Sequence, residues 1–272
     1  MRSFALATFL LLASGSTAFA YVTPGPLFHA NGSSYMAGFT DNATLCDLNR
    51  DGMDDLVLSD LHGFEVALAS GGGSFGPYQH FLPELGRTLV THGDFDGDGL
   101  VDIAGTNESG VYVAYGSGNG TFADVFQMAY RGLNSFPMTG DLNGDGRADF
   151  VAARFFADSI VVAFVAGPGR TLVLADSCEI PGSIEGLAIG DVAGSSAADL
   201  VLTTYDNEFV SIYPGNGDGT FGPRLDTPTP DYPYGIAIAP FDGNSTHDLV
   251  VQQLAGAAFG SNLGGGAIAP FA

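Results

Sequence analysis

Aspartates recur in this chain at a spacing that suits a divalent cation. Asp47-Leu-Asn-Arg-Asp-Gly-Met-Asp-Asp55 carries side-chain oxygens at its first, third, fifth and ninth positions. The frame returns in Asp94-Phe-Asp-Gly-Asp-Gly-Leu-Val-Asp102 and in Asp141-Leu-Asn-Gly-Asp-Gly-Arg-Ala-Asp149. Calcium takes about six to eight hard oxygen ligands at roughly 2.3–2.6 Å. A tight loop presenting oxygens at alternate positions wraps one such ion. Glycine at position 6 allows the sharp turn, and a backbone carbonyl serves at position 7. On this pattern the first loop offers Asp47, Asn49, Asp51, the Met53 carbonyl and Asp55. The second offers Asp94, Asp96, Asp98, the Leu100 carbonyl and Asp102. The third offers Asp141, Asn143, Asp145, the Arg147 carbonyl and Asp149. Calcium is the expected cofactor, at three intact sites.

Two competing readings of the loops are weaker. An EF-hand needs a bidentate Glu at position 12 and flanking helices. Here position 12 is Leu58, Gly105 or Ala152, and the flanks are strand-like. Asx turns alone would account for one loop. Three loops in phase, each converging several carboxylates, oppose folding unless a cation is present. A fourth copy begins at Asp191 and keeps Asp199, but has Ala193 and Ser195 at positions 3 and 5. A fifth begins with Pro240 and keeps Asp242, Asn244 and Asp248. These two are expected to be weak or empty.

The loops belong to a repeat. Their first residues stand 47 apart, then 47 again, and Asp191 follows 50 later. Each loop runs into an apolar segment: Leu56-Val57-Leu58, Ile103-Ala104, Phe150-Val151, Leu200-Val201 and Leu249-Val250. A glycine turn shares the period, at Gly71–Pro77, Gly118–Phe122, Gly167–Thr171 and Gly215–Pro223. The second copy predicts strands at 88–93, 103–106, 111–115 and 122–130, bounded by turn residues. The third predicts strands at 150–154, 160–165 and 171–175. Four short strands at this period are the signature of a propeller blade. The expected fold class is all-β, a β-propeller of five four-stranded blades in a single domain over residues 21–272.

Loop, following strand and glycine turn together resemble the FG-GAP or VCBS-type repeats of integrin-α-like propellers, most plainly in Phe75-Gly76-Pro77 and Phe221-Gly222-Pro223. The resemblance covers roughly residues 43–266 and implies both the propeller and its calcium loops. It says little about activity, because such repeats occur in adhesion proteins, lectins and the scaffold regions of secreted enzymes. Propellers of the integrin type usually have seven blades, whereas five copies occur here. The segment Pro24–Asn31 is expected to supply the outer strand of the last blade, which would close the ring and remove a bare sheet edge.

Charge narrows the partners. Lys and Arg number 8 against 30 Asp and Glu, so no basic surface exists to displace phosphate counterions. Nucleic acid is excluded on that ground, and an anionic membrane surface is disfavoured. At the N-terminus, Arg2 precedes the apolar run Phe4–Ala13, which is too short for a spanning helix of about 20 residues. Ala18-Phe19-Ala20 fits signal cleavage after Ala20, so residues 1–20 read as a signal peptide. Secretion follows, to the extracellular space or, in a bacterium, the periplasm or cell surface. No later segment is apolar enough to span a membrane. Cys46 and Cys178 suit either one bridge or two buried thiols.

Catalytic constellations are scarce. The histidines, at 29, 62, 80, 92 and 247, form no zinc-hydrolase pattern, and neither a nucleophile elbow nor a P-loop is present. Beyond residue 20 the basic residues are seven arginines and no lysine. Tyr232 and Tyr234, in a proline-rich loop, are the surface aromatics best suited to a sugar face. Glycosylation sequons stand at Asn31, Asn42, Asn107, Asn119 and Asn244. The chain reads as an extracellular binding or adhesion module for a protein or carbohydrate partner, and not as an enzyme. The alternatives are a secreted carbohydrate-active lyase or hydrolase, and a calcium-stabilised scaffold with no discrete ligand.

Overall fold

The computed structural model describes residues 29–30, 33–34, 42–133, 137–154, 159–204, 207–229, 232–239, 247–253 and 256–260. The expected signal peptide 1–20, most of the segment Pro24–Asn31 expected to close the ring, and residues 240–246 of the fifth loop lie outside the described residues. Within that segment, His29–Ala30 pairs with Ser33–Ser34. Two compact units are distinguished: Met1–His92 with Leu100–Arg131, and Gly93–Gly99 with Gly132–Ala272.

The described chain is all-β apart from a short 3-10 turn at Pro83–Leu85. Four antiparallel sheets of four strands follow one another, then a fifth with three described strands. The first sheet comprises Asn42–Cys46, Asp55–Asp60, Gly63–Ala67 and Gln79–Phe81. The second comprises Thr88–Gly93, Asp102–Asn107, Gly110–Gly116 and Phe122–Ala129. The third is Met138–Gly140, Asp149–Arg154, Ser159–Gly167 and Thr171–Ile180. The fourth is Ile184–Gly190, Asp199–Thr204, Phe209–Tyr213 and Leu225–Pro228. The fifth is Pro233–Ala239, Asp248–Gln253 and Gly256–Gly260. Each is a meander in chain order, as the four predicted strands per repeat require. The first sheet departs from this regularity, because a small ribbon of Ala69–Gly71 and Ser74–Phe75 precedes its fourth strand.

Burial explains why the middle strands read as apolar runs. The strands Gly110–Gly116 and Asp199–Thr204 are buried along their whole length. Such strands must be covered on both faces. Strand alternation divides the two faces between neighbours. In the fourth sheet, Leu200 and Leu202 join Val151, Ala153, Val161 and Ala163 of the third. Val201 points the other way and joins Leu249 and Val251 of the fifth. In the first unit, Val57, Phe64 and Val66 meet Val90, Ile103 and Tyr112. Each such side chain contributes about 1.5–3 kcal/mol by leaving water. The fourth strands are more exposed, with Val173, Leu174 and Leu225 among the large apolar residues facing solvent.

A glycine before the loop sets how closely sheets approach. A Cβ on Gly140 would lie 2.9 Å from Ile189 Cγ2 of the next sheet, and one on Gly190 would lie 3.0 Å from Ile238 Cγ2. Each glycine directly precedes the first aspartate of its loop, as Gly93 does in the second copy. In the first copy the position is Cys46, a buried free thiol, and Cys178 is likewise free and half-buried. Gly140→Val should overpack this joint and lower stability by about 1–3 kcal/mol, measured as a drop in the urea midpoint at unchanged calcium stoichiometry.

Candidate metal centre

The loops share one local architecture. Position 2 is an apolar anchor, with Leu48, Phe95, Leu142 and Val192 all at or below 2 % exposure. Positions 4 and 6 take left-handed backbone. In the second loop these are Gly97 and Gly99, with φ of 78° and 81°. In the fourth loop Ser196 adopts φ of 67° at position 6 without the glycine that eases such a turn. The first aspartate closes each loop on itself. Its Oδ2 accepts from the position-6 N–H, at 2.9 Å for Asp47, 2.8 Å for Asp94, 2.9 Å for Asp141 and 3.1 Å for Asp191.

The ninth aspartate has a different environment. Asp55, Asp102, Asp149 and Asp199 have no exposed surface, and Asp248 has 2 %. Asp149 Oδ2 accepts from Leu142 N–H at 2.8 Å, and its Oδ1 accepts from Ala166 N–H at 2.7 Å, at the end of the third strand. Asp55 repeats this with Leu48 and Ala69 at 3.0 and 2.7 Å. Asp199 does so with Val192 and Gly215 at 2.7 and 2.8 Å. Asp102 Oδ1 accepts from Gly116 N–H at 2.7 Å. The residue therefore clamps the loop to the end of the third strand of its own sheet, or to a residue just beyond that end. The fourth copy keeps the clamp although positions 3 and 5 hold no carboxylate, so the clamp does not depend on a ligand set. Sequence reasoning assigned position 9 to the metal and missed this second role. The persistence of Asp in all five copies was the available signal.

The remaining predicted residues are distributed as follows. In the second loop, oxygens of Asp94, Asp96 and Asp102 lie within 4.8 Å of one another. This is a hard-oxygen donor set of the kind calcium takes, and it fits the ion. Asp98 stands outside that trio, its Oδ2 4.0 Å from Arg170 Nη2. In the first and third loops position 3 is an amide. Asn49 Nδ2 donates to Asp51 at 3.0 Å, and Asn143 Nδ2 donates to Asp145 at 3.1 Å. Arg147 also pairs with Asp145. The position-7 side chains turn toward the glycine turn of their own sheet: Leu100 covers Gly118, Met53 lies near Gly71, and Arg147 Nε donates to the Ala166 carbonyl at 3.3 Å. The third and fourth loops and the Gly215–Gly217 turn line an open cleft of about 430 Å³, with Asp141, Asn143, Asp191, Ser195 and Asn216 at its wall.

The other singled-out residues have structural contacts. His80 pairs with Glu65 at 3.2 Å, His92 Nδ1 lies 2.7 Å from Thr44 Oγ1, and His247 Nδ1 lies 3.2 Å from the Asp191 carbonyl. Burial lowers the His92 pKa. Among the aromatics, Tyr112, Tyr115 and Tyr213 are buried, and Tyr232 is 42 % exposed. The Asn42 sequon is buried, with Nδ2 donating to the Val90 carbonyl at 2.7 Å. Asn107 caps a hairpin, accepting from the N–H groups of Ser109 and Gly110. Asn119 is the exposed sequon among the described residues, and its Oδ1 accepts from Thr121. Tyr205, Asn31 and Asn244 lie outside the described residues.

Comparison with known proteins agrees with this architecture. Residues 94–152 match the FG-GAP-like repeat. The match spans the second loop, the last three strands of its sheet and the third loop. A solved lectin of Agrocybe aegerita, described for its recognition of non-reducing terminal N-acetylglucosamine, superposes with a TM-score of 0.64 at 20% identity. That alignment covers 85% of this chain and 64% of the lectin, so the chain spans less than two thirds of that relative. The Vibrio cholerae biofilm matrix protein Bap1 aligns at a TM-score of 0.48 and 19% identity, over 83% of this chain and 38% of Bap1. No curated protein matches the sequence. The fold is propeller-like, with FG-GAP-like repeats.

Two measurements separate the roles of the aspartates. Asp199→Asn leaves one N–H facing an amide donor, and should cost about 1–3 kcal/mol with no change in the number of calcium ions bound. Asp98→Asn should weaken calcium at its loop while changing the stability of chelated protein by no more than about 0.5 kcal/mol. Chelator-treated urea unfolding and calorimetric titration read the two effects.

Burial also pushes the Asp149 carboxyl up to about 6, against the two N–H bonds that pull it down. The folded metal-free protein then binds this proton more tightly than the unfolded chain, whose Asp titrates near about 4. The stability from this group is full below that value and is lost as pH rises through about 6. Chelated wild type should therefore lose more stability between about pH 4 and 6 than chelated Asp149→Asn. Equal slopes in a pH series of unfolding midpoints would refute the assignment.

Proposed function

We propose that this protein is an exported, calcium-stabilised five-bladed propeller that acts as an extracellular binding module for a carbohydrate or protein partner. The supporting observation is the convergence of three carboxylates in the second loop, within a frame that two further loops repeat. Carboxylates this close repel one another in the absence of a cation. Asp47, Asp51 and Asp55, then Asp94, Asp96, Asp98 and Asp102, then Asp141, Asp145 and Asp149 would hold the ions, with the asparagines at position 3 as neutral ligands. The ion supplies fold stability at the loop ends of the sheets. Each site should add about 2.7 kcal/mol when calcium stands at 100 times its dissociation constant.

Carbohydrate is the ligand class to probe first. The lectin superposition shows the fold alone, but it shows a fold that presents sugars in another protein. The cleft beside Asn143, Ser195 and Asn216 offers amide and hydroxyl groups that can pair with sugar hydroxyls. His80, His92 and His247 are held in local contacts, which favours binding over acid–base chemistry at these residues. A glycan array run in calcium and in chelator tests the reading. Calcium-dependent retention of a glycan is expected. Release of product from any polysaccharide would overturn the non-enzymatic assignment, and retention unaffected by chelator would overturn the role of calcium.

A further inference from the structure

Arg170 occupies a position that is glycine in two other turns. The segments Gly120-Thr121-Phe122 and Gly219-Thr220-Phe221 align with Arg170-Thr171-Leu172. The backbone is left-handed at all three, with φ of 80°, 87° and 61°. Glycine enters this region freely and other residues rarely do. In the glycine turns, the amide at this point reaches the loop of the preceding copy. Gly120 N–H donates to the Leu48 carbonyl and Gly219 N–H to the Leu142 carbonyl, both at 3.1 Å. At Arg170 a side chain makes the corresponding reach. Its Nε donates to Asp96 Oδ2 at 2.8 Å, and its Nη2 lies 4.0 Å from Asp98 Oδ2.

The target of that reach is the residue that distinguishes the second loop. Position 3 is asparagine in the first and third loops, Asn49 and Asn143, but aspartate in the second, Asp96. Asp96 is also one of the three converging carboxylates, and its side chain is 8% exposed. The second loop thus carries one more negative charge than its neighbours at this position, and one guanidinium arrives to meet it. Arg147 pairs with Asp145 in the third loop, but from within that loop and onto position 5.

We propose that Arg170 is a resident counter-ion for the second loop. It offsets the extra carboxylate Asp96, supports the loop when no metal is bound, and keeps the calcium affinity of this loop close to that of the asparagine loops. The inference rests on the calcium reading above. A guanidinium hydrogen-bonded to a ligand carboxylate repels an incoming divalent cation and engages one of the oxygens it needs. Strain does not oppose its removal, because Arg170→Gly restores the residue that the other turns use.

The test is a double-mutant cycle on Arg170→Gly and Asp96→Asn, with Arg170→Gln measured alongside to separate lost charge from lost packing. Calcium titration by calorimetry and urea unfolding in chelator are the readouts. Arg170→Gly and Arg170→Gln should tighten one calcium site by about tenfold, the scale of one like charge removed from a partly exposed site. Both should lower the unfolding midpoint of chelated protein. Adding Asp96→Asn should return both quantities toward wild type, because the pair then resembles the first and third loops. Unchanged or weaker calcium binding in the Arg170 variants, with wild type still binding three ions, would overturn this inference alone. Wild type binding no calcium would overturn the calcium reading and this inference with it.

Discussion

A buried carboxylate that accepts one N–H from its own loop and another from the far end of the third strand of its sheet, or just beyond it, is the contact on which the repeat depends. Ionised groups without exposed surface need such partners. Asp149 has them in Leu142 and Ala166, and Asp55 and Asp199 have their equivalents. The clamp sets where the loop leaves the sheet. It also places the position-2 side chain in the core and turns the position-2 carbonyl toward the next glycine turn. Leu48 and Leu142 show both consequences, with buried side chains and carbonyls that accept from Gly120 and Gly219.

The loop is therefore built before any ion is considered. The fourth copy makes the point, since Asp191 and Asp199 form the same hydrogen bonds around a loop that has lost its carboxylates at positions 3 and 5. On the proposed calcium reading, affinity would then be set by the third and fifth positions and by the charges near them. The three intact loops differ at those positions in the partners they hold. Asparagine ties down Asp51 and Asp145, and an arginine from a separate turn ties down Asp96. Strong acidity overall gives little information here. What matters is which neighbour neutralises which oxygen.

Much of this was legible in the sequence, because a repeat states its rules several times. The period of 47, the apolar run after each loop and the glycine turn predicted the strands to within a residue or two, except that Thr171–Ile180 runs well past its expected end at 175. The frame of the loops was legible for the same reason. What stayed hidden was burial. Aspartate is read from sequence as a polar surface group or a ligand, and nothing local marks Asp149 as wholly enclosed. The glycines before the third and fourth loops were equally visible and went unread, since their meaning lies in Ile189 and Ile238, about 50 residues away in the chain. The irregular first sheet was not anticipated either, because its extra ribbon falls inside a stretch that resembles the common turn.

The joint formed by those glycines bears on how such a chain can change over generations. The third and fourth copies each set a bare backbone against a projecting isoleucine of the next copy, as Gly140 with Ile189 and Gly190 with Ile238 show. Contact of this kind involves only nearest neighbours. Duplicating or deleting a whole copy therefore recreates a joint that already works, and no new interface has to be invented. The first and fifth copies differ, with Cys46 and Ala239 in the place of the glycine. Neither can be exchanged for a glycine-bearing copy without repacking, so gains and losses of copies should fall among the copies that carry the glycine.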